Sequence, residues 1–93
     1  MDKTDAQGED RNYMEYVIKG IVKRPDDVVL TRSVDSLGVL LTLEVAPEDM
    51  ATVIGKGGQT AMALRTLLRV VGSKNNDRVN MKILEPPTSN RKF

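Results

Sequence analysis

Apolar residues recur along the chain at two spacings, and the changes between these spacings predict six secondary-structure elements. The first element is a helix with an apolar face formed by Met14, Val17, Ile18, Ile21 and Val22. Asn12 followed by Glu15 is typical of a capping box at its start. Pro25 ends it, because the residue before a proline disfavours helical backbone. Residues 1–11 are polar and acidic, and we expect them to form a disordered tail.

Two segments of alternating apolar and polar character follow and predict a β-hairpin. The strands span residues 28–34 and 39–45, and the turn-forming run from Asp35 to Gly38 lies between them. A last strand is predicted over residues 79–83, where apolar and polar residues again alternate. Two prolines follow it, and we expect residues 86–93 to form a short C-terminal tail.

Two helices joined by glycines are predicted between the hairpin and the last strand. The first starts near Pro47, which suits the first helical position, and stops at Gly55. The second starts near Gly58 and ends with Gly72 as a C-terminal cap. Its apolar positions keep helical spacing and are Ala61, Leu64, Leu67, Leu68 and Val71. The periodicity therefore predicts an α+β fold with one sheet.

The composition excludes several classes of function. A chain of 93 residues forms one small domain with little room for a deep catalytic cavity. It has no cysteine, which removes a cysteine nucleophile and a thiolate metal site, and no histidine, which removes the commonest general base and the commonest metal ligand. Its acidic pairs lie at turns and helix starts, where helix capping explains them (Asp26-Asp27 and Glu48-Asp49). We therefore expect no enzyme, no metal and no cofactor. The polar N-terminus and the lack of a long apolar run predict a cytoplasmic protein with no membrane contact.

Charge is distributed unevenly along the chain. Residues 1–51 carry eleven acidic and six basic side chains, whereas residues 52–82 carry six basic side chains and one acidic. Charged helix surfaces alone could explain this asymmetry. Because the basic half also contains the glycines between the two predicted helices, a surface that binds a polyanion is the better interpretation.

The run from Val53 to Thr60, Val-Ile-Gly-Lys-Gly-Gly-Gln-Thr, carries most of the functional signal. A helix that stops at Gly55 and restarts at Gly58 leaves a short loop with few side chains. Such a loop lets a ligand approach N–H groups at the start of the second helix, where anions are favoured. Lys56 adds a positive charge there. The run could also be a plain helix-breaking turn, but two-residue links rarely need three glycines.

This run, with the following Ala63-Leu-Arg-Thr-Leu-Leu68, resembles the core of a KH domain and is similar to the small bacterial single-KH RNA-binding proteins of the KhpA type. The resemblance covers roughly residues 12–85, which we take as the domain. It implies a type II KH-like fold, in the order α-β-β-α-α-β, with a three-stranded sheet and helices on one face. It also implies that the GXXG loop clamps the backbone of a nucleic acid.

The resemblance indicates the residues that would contact RNA. They are Val53, Ile54, Gly55, Lys56, Gly57, Gly58, Gln59, Thr60 and Arg65. Val53 and Ile54 are adjacent on a helix, so we expect one in the core and the other at a groove; by resemblance, the isoleucine is more often core. Arg65 and Arg69 share a helix face, which is either a solvated face or a flank of the bound strand. Gln59 and Thr52 stand where many relatives carry basic residues, which predicts modest affinity.

The leading hypothesis is a non-enzymatic protein that binds single-stranded RNA. The resemblance further implies an RNA chaperone or post-transcriptional regulator linked to cell elongation and envelope homeostasis. It also implies a homodimer, or a heterodimer with a larger KH-containing RNA-binding protein. The alternative is a dimerisation module with weak or no RNA binding, in which Met62, Leu67, Leu68 and Val70 form an exposed apolar patch. The chain has only three aromatic residues, which argues against RNA modules that stack bases on aromatic rings.

Overall fold

A computed structural model describes residues 3–84 of the protein, with side chains from residue 8 onward. The helices and strands follow one another as α1 (Lys3–Lys19), β1 (Val29–Asp35), β2 (Gly38–Glu44), α2 (Met50–Ile54), α3 (Gln59–Lys74) and β3 (Val79–Ile83). This order confirms the predicted α+β fold. The predicted tail over residues 86–93 lies outside the described residues. Among the residues that are described, each helix is too short or too polar to cross a membrane.

The three strands form one mixed sheet with β2 at its centre. β1 and β2 pair antiparallel, from Val29 opposite Glu44 to Asp35 opposite Gly38, which confirms the predicted hairpin. β3 runs parallel to β2, with Val79 opposite Val39. A parallel pair needs a long crossover between its strands, and α2 and α3 provide it. The sheet and the order of the elements match the type II KH-like arrangement.

One face of the sheet packs against the helices and forms the core. In β2 and β3 every second residue faces this core, as the alternation in the sequence predicted, whereas Leu30 is the one buried residue of β1. α1, α2 and α3 each contribute apolar side chains to the same cluster. The buried cluster consists of Met14, Ile18, Val28, Leu30, Val39, Leu41, Leu43, Val45, Val53, Leu64, Leu68, Val79 and Met81.

The first helix starts earlier than predicted, because α1 begins at Lys3 and not at Asn12. The helix therefore includes residues 3–11, for which the sequence predicted a disordered tail. Tertiary contacts explain the difference. The Asp10 carboxylate is 3% exposed and accepts a 2.9 Å hydrogen bond from Arg32 on β1. Glu9 accepts hydrogen bonds from Lys74 and Asn75 at the end of α3, and the Lys74 bond is the main cause of the lowered pKa of Glu9.

The same helix also ends earlier than predicted, at Lys19. The Gly20 N–H donates to the carbonyl groups of Tyr16 and Val17, and the Ile21 N–H donates to Ile18 in a tighter turn. Ile21 is 41% exposed and does not belong to the helix face on which the sequence placed it. The helix therefore ends six residues before Pro25, and a tighter turn follows it.

Asp49 has a different role from the helix capping that the sequence suggested. Its side chain forms no cap at the start of α2. It is fully buried, and its two carboxylate oxygens accept 2.9 Å hydrogen bonds from the N–H groups of Lys23 and Arg24. A buried carboxylate needs such donors, and the donors lie 25 and 26 residues away in sequence. Asp49 therefore fixes the connection between α1 and β1 to the start of α2.

Gly72 is not the C-terminal cap of α3 that was predicted, because the helix continues to Lys74. A Cβ atom at Gly72 would lie 2.7 Å from Val79 Cγ2 and 2.8 Å from the Asp77 carbonyl oxygen. The glycine therefore permits close packing of the last turn of α3 against the start of β3. The left-handed residue of this connection is Asn76, at φ 62°.

Candidate functional site

The connection between α2 and α3 is a tight loop in which three glycines have positive φ. Gly55 has φ 78° and ψ 169°, a conformation that is essentially restricted to glycine. A Cβ atom at this position would lie 2.3 Å from Thr60 Oγ1 and 2.6 Å from the Thr60 N atom. Both the backbone conformation and the contact with Thr60 therefore require glycine here.

Gly57 and Gly58 have a different environment from Gly55. Their φ values of 64° and 80° are left-handed, but a Cβ atom at either position would meet nothing within 4 Å. Lys56 is exposed beside them and forms no ion pair with any side chain that the structure describes. The outer surface of the loop is thus open, and its charge is available to a ligand.

Some of the N–H groups at the start of α3 are already used within the loop. The Gly58 N–H donates to the Gly55 carbonyl, and the Gln59 N–H donates to the Lys56 carbonyl. No side chain caps the start of α3. A phosphate at this loop would therefore contact the Lys56 ammonium and N–H groups other than these two.

A groove of about 270 Å³ adjoins the loop. Its lining comes from α2, the loop, α3 and β3, and consists of Met50, Ile54, Gly58, Ala61, Arg65 and Ile83. Gly58 belongs to both the loop and the groove, so the two features form one continuous surface. Arg65 is the charged residue of this lining, and its Nε atom donates a 3.2 Å hydrogen bond to the Met81 carbonyl oxygen on β3.

The comparison with protein families agrees with this geometry. The family model of the KhpA/KhpB KH domain matches residues 11–83, which include every strand, the loop and the groove. The chain belongs to the KhpA/KhpB family of KH-domain proteins. The segment Gly55–Gly58, with Lys56 and Gly57 between its outer glycines, has the spacing of the GXXG loop that the sequence resemblance implied.

Several curated relatives are named RNA-binding protein KhpA. The protein of that name from Listeria monocytogenes is 42% identical over 69 residues, which are 74% of this chain and 91% of the relative. That from Chlamydia pneumoniae is 39% identical over 75 residues, covering 81% of this chain and 96% of the relative. That from Clostridium acetobutylicum is 38% identical over 74 residues, covering 80% and 99%.

The KH structure separates the nine predicted contact residues into groups. Ile54, Gly58 and Arg65 line the groove, whereas Gly55, Lys56 and Gly57 form the rest of the loop. Val53 is fully buried in the core, so the valine and not the isoleucine is the core residue of this pair. Thr60 packs against Gly55, and Gln59 lies on another surface of α3.

Three groove residues were not among those predicted, namely Met50, Ala61 and Ile83. Met50 precedes Ile54 by four residues and Ala61 precedes Arg65 by four, so each pair shares a helix face. This spacing was available in the sequence. Ile83 was not identifiable in the same way, because only the parallel pairing of β3 with β2 sets its position beside the helices.

The KH domain has a second exposed surface on α3, which we call the α3 outer face. It is formed by Gln59, Met62, Ala63, Thr66 and Leu67. Met62 is 64% exposed, and Val70, about two turns further along α3, is 63% exposed. Leu68, which the sequence suggested for an apolar surface patch, is fully buried in the core. The patch therefore consists of fewer apolar residues than expected.

The contrast between the loop glycines predicts different effects on folding. Gly55→Ala should destabilise the domain by more than about 2 kcal/mol, because it combines a glycine-only conformation with a collision at Thr60. Gly57→Asn should cost at most about 1 kcal/mol, because asparagine tolerates the left-handed conformation and the position is open. Urea unfolding of the two variants measures the difference. Equal destabilisation would contradict this description of the loop.

Proposed function

We propose that this protein binds single-stranded RNA, with the RNA backbone at the GXXG loop and a base in the adjoining groove. The observation that carries the proposal is the continuity of the two features at Gly58, beside the exposed Lys56, which has no ion-pair partner among the described side chains. Because three of the four loop residues are glycines, the open loop lets a phosphate come close to the backbone, and Lys56 supplies the attracting charge. KH domains clamp about four nucleotides in this manner.

The names of the relatives support the same proposal, since each is called an RNA-binding protein. We expect modest affinity for this chain. Thr52 and Gln59 are uncharged, and the α3 outer face that contains Gln59 shares no residue with the groove lining. The phosphate contacts would therefore depend mainly on Lys56 and on backbone N–H groups.

A cytoplasmic location and a role as an RNA chaperone or post-transcriptional regulator, linked to cell elongation and envelope homeostasis, stay predictions from the family resemblance. Such a role would suit a protein with a shallow groove and one loop lysine. Contacts of this kind recognise the RNA backbone and a few bases, so they do not require a long target sequence in the RNA. We also infer that the protein is a binding module and not an enzyme.

A charge-reversing variant of the loop tests RNA binding. The double variant Lys56→Asp, Gly57→Asp should lose binding to fluorescent single-stranded RNA, because two carboxylates then lie where the phosphate would bind. Aspartate tolerates the left-handed conformation of residue 57, so the variant should keep its fold. Fluorescence anisotropy at two salt concentrations measures the affinity, and circular dichroism checks the fold.

The matched control is Lys56→Asn, Gly57→Asn, which has nearly the same shape and no added negative charge. It should bind RNA more weakly than the wild type but more tightly than the aspartate variant. The slope of the logarithm of its binding constant against the logarithm of the salt concentration should be smaller in magnitude by about 0.7, the value for one phosphate contact on a single strand. Equal binding by the wild type and the folded aspartate variant would exclude the loop as the clamp.

A second candidate function is association through the α3 outer face. The observation that favours it is the pair of exposed apolar side chains Met62 and Val70 on one helix, beside the partly exposed Leu67. Exposed apolar surface of this kind marks sites of protein contact. We propose a second copy of this chain as the occupant, because a helix face with one apolar stripe can pack against its own symmetry mate. A larger KH-containing protein could use the same face.

The substitution Met62→Lys tests this association, because it places a charge in the apolar stripe without weakening helix propensity. We expect it to shift the protein from dimer to monomer in sedimentation velocity. Val34→Lys is the matched control, since Val34 is 63% exposed at the end of β1 and Met62 is 64% exposed. A monomeric wild type, or a dimer that survives in Met62→Lys, would contradict the proposed interface.

A further inference from the structure

One wall of the groove is the outer edge of β3. The Arg78 carbonyl and the Leu84 N–H bond to residues of β2, so the even-numbered residues of β3 direct their backbone groups toward β2. Because these directions alternate along a strand, the N–H and C=O groups of Met81 and Ile83 point away from the sheet. Ile83 lines the groove, so this edge faces the proposed binding surface.

Arg65 changes the chemistry of that edge. Its Nε atom donates to the Met81 carbonyl, which is therefore no longer a free acceptor. No side chain that the structure describes accepts a hydrogen bond from its two terminal nitrogens. The guanidinium group has five N–H donors in a rigid fork, so four remain after the Met81 contact.

We propose that Arg65 is a specificity-determining residue of this groove and that it makes the groove prefer guanine to adenine. The inference rests on the proposed RNA binding and extends it to the identity of the bound base. The groove offers donors from the Arg65 fork and from the outward N–H groups of the β3 edge. Of the outward carbonyls on that edge, the one beside Arg65, that of Met81, is occupied, which leaves the Ile83 carbonyl as the strand acceptor. A base with two adjacent acceptors fits this arrangement.

Guanine is the purine that supplies such an edge. Its O6 and N7 atoms are both acceptors, and an arginine fork can bind them together. Adenine presents an N6 amino group beside N7. The N–H donors of that amino group would then face the N–H donors of the arginine, and no hydrogen bond could form there. The groove volume of about 270 Å³ lies just below the range of about 300–1,000 Å³ for pockets that bind drug-sized molecules, which suits a single base.

Arg69 offers a contrast on the same helix. It lies one turn from Arg65 and is exposed, but it does not line the groove and donates to no β3 carbonyl among the described residues. Removal of either arginine eliminates one positive charge from the basic half of the chain. Only the change at Arg65 alters the hydrogen-bonding groups of the groove.

The test compares six-nucleotide RNAs that contain one guanosine, inosine or adenosine in a uridine background. The wild type should bind the guanosine and inosine strands about ten-fold more tightly than the adenosine strand, because inosine keeps O6 and N7. Arg65→Ala should lose this preference, since it removes the fork and frees the Met81 carbonyl. Arg65→Lys should lose it too while keeping the salt slope, because lysine presents a point charge.

Arg69→Ala is the control that loses one charge, and it should keep the preference. A strand with 7-deazaguanosine tests the contact without any change in the protein, and it should bind the wild type as weakly as the adenosine strand. Equal affinity of the wild type for the guanosine and adenosine strands, or an unchanged preference in Arg65→Ala, would overturn the inference. Failure of the wild type to bind any of these RNAs would instead overturn the proposed function.

Discussion

The close approach of Gly55 to Thr60 is the constraint on which the site depends. It brings the end of α2 against the first turn of α3, and a single methyl group would separate them. α2 and α3 therefore lie close enough for Ile54 and Ala61 to form one groove wall. The same contact turns Lys56 and Gly57 outward into open space. One backbone conformation thus produces both the groove and the exposed loop beside it.

Charge has different uses in the two halves of the chain. Several carboxylates of the acidic half act inside the fold: Asp49 holds the connection between α1 and β1, and Asp10 binds Arg32. Lys56 and Arg69, in the basic half, form no ion pair with any described residue. Although the net charge of the chain is small, positive charge without an ion-pair partner among the described residues therefore lies on the loop and on α3. That distribution, more than the net charge, is what a polyanion would encounter.

Local patterns were sufficient to predict most of the fold. The hairpin, the last strand and the interruption at Gly55 all follow from alternation, helical spacing and glycine, which depend on near neighbours. The misjudged features depend on distant contacts. The helical extension through Asp10 is tied to β1, and the carboxylate of Asp49 bonds to residues more than twenty positions away. Gly72 likewise permits packing on β3, and sequence position alone suggested a cap.

The site shows the same division. The glycine loop was predictable because its motif is contiguous, whereas the groove needs β3 beside α3, which only the parallel strand pairing determines. The assignment of Val53 to the core and Ile54 to the groove reverses what the family resemblance favoured. Adjacent apolar residues on a short helix look equivalent in sequence, and only the tertiary packing, which buries Val53 fully and Ile54 partly, distinguishes them.

The central claim is that the loop and the groove together form the surface that binds RNA. The most direct measurement is a titration of the ¹⁵N-labelled protein with a single-stranded RNA, followed by amide chemical shifts. The account predicts that the largest changes occur over residues 54–58 and at Arg65 and Ile83, with little change at Met62 and Val70. Changes confined to the α3 outer face, or spread evenly over the molecule, would contradict it.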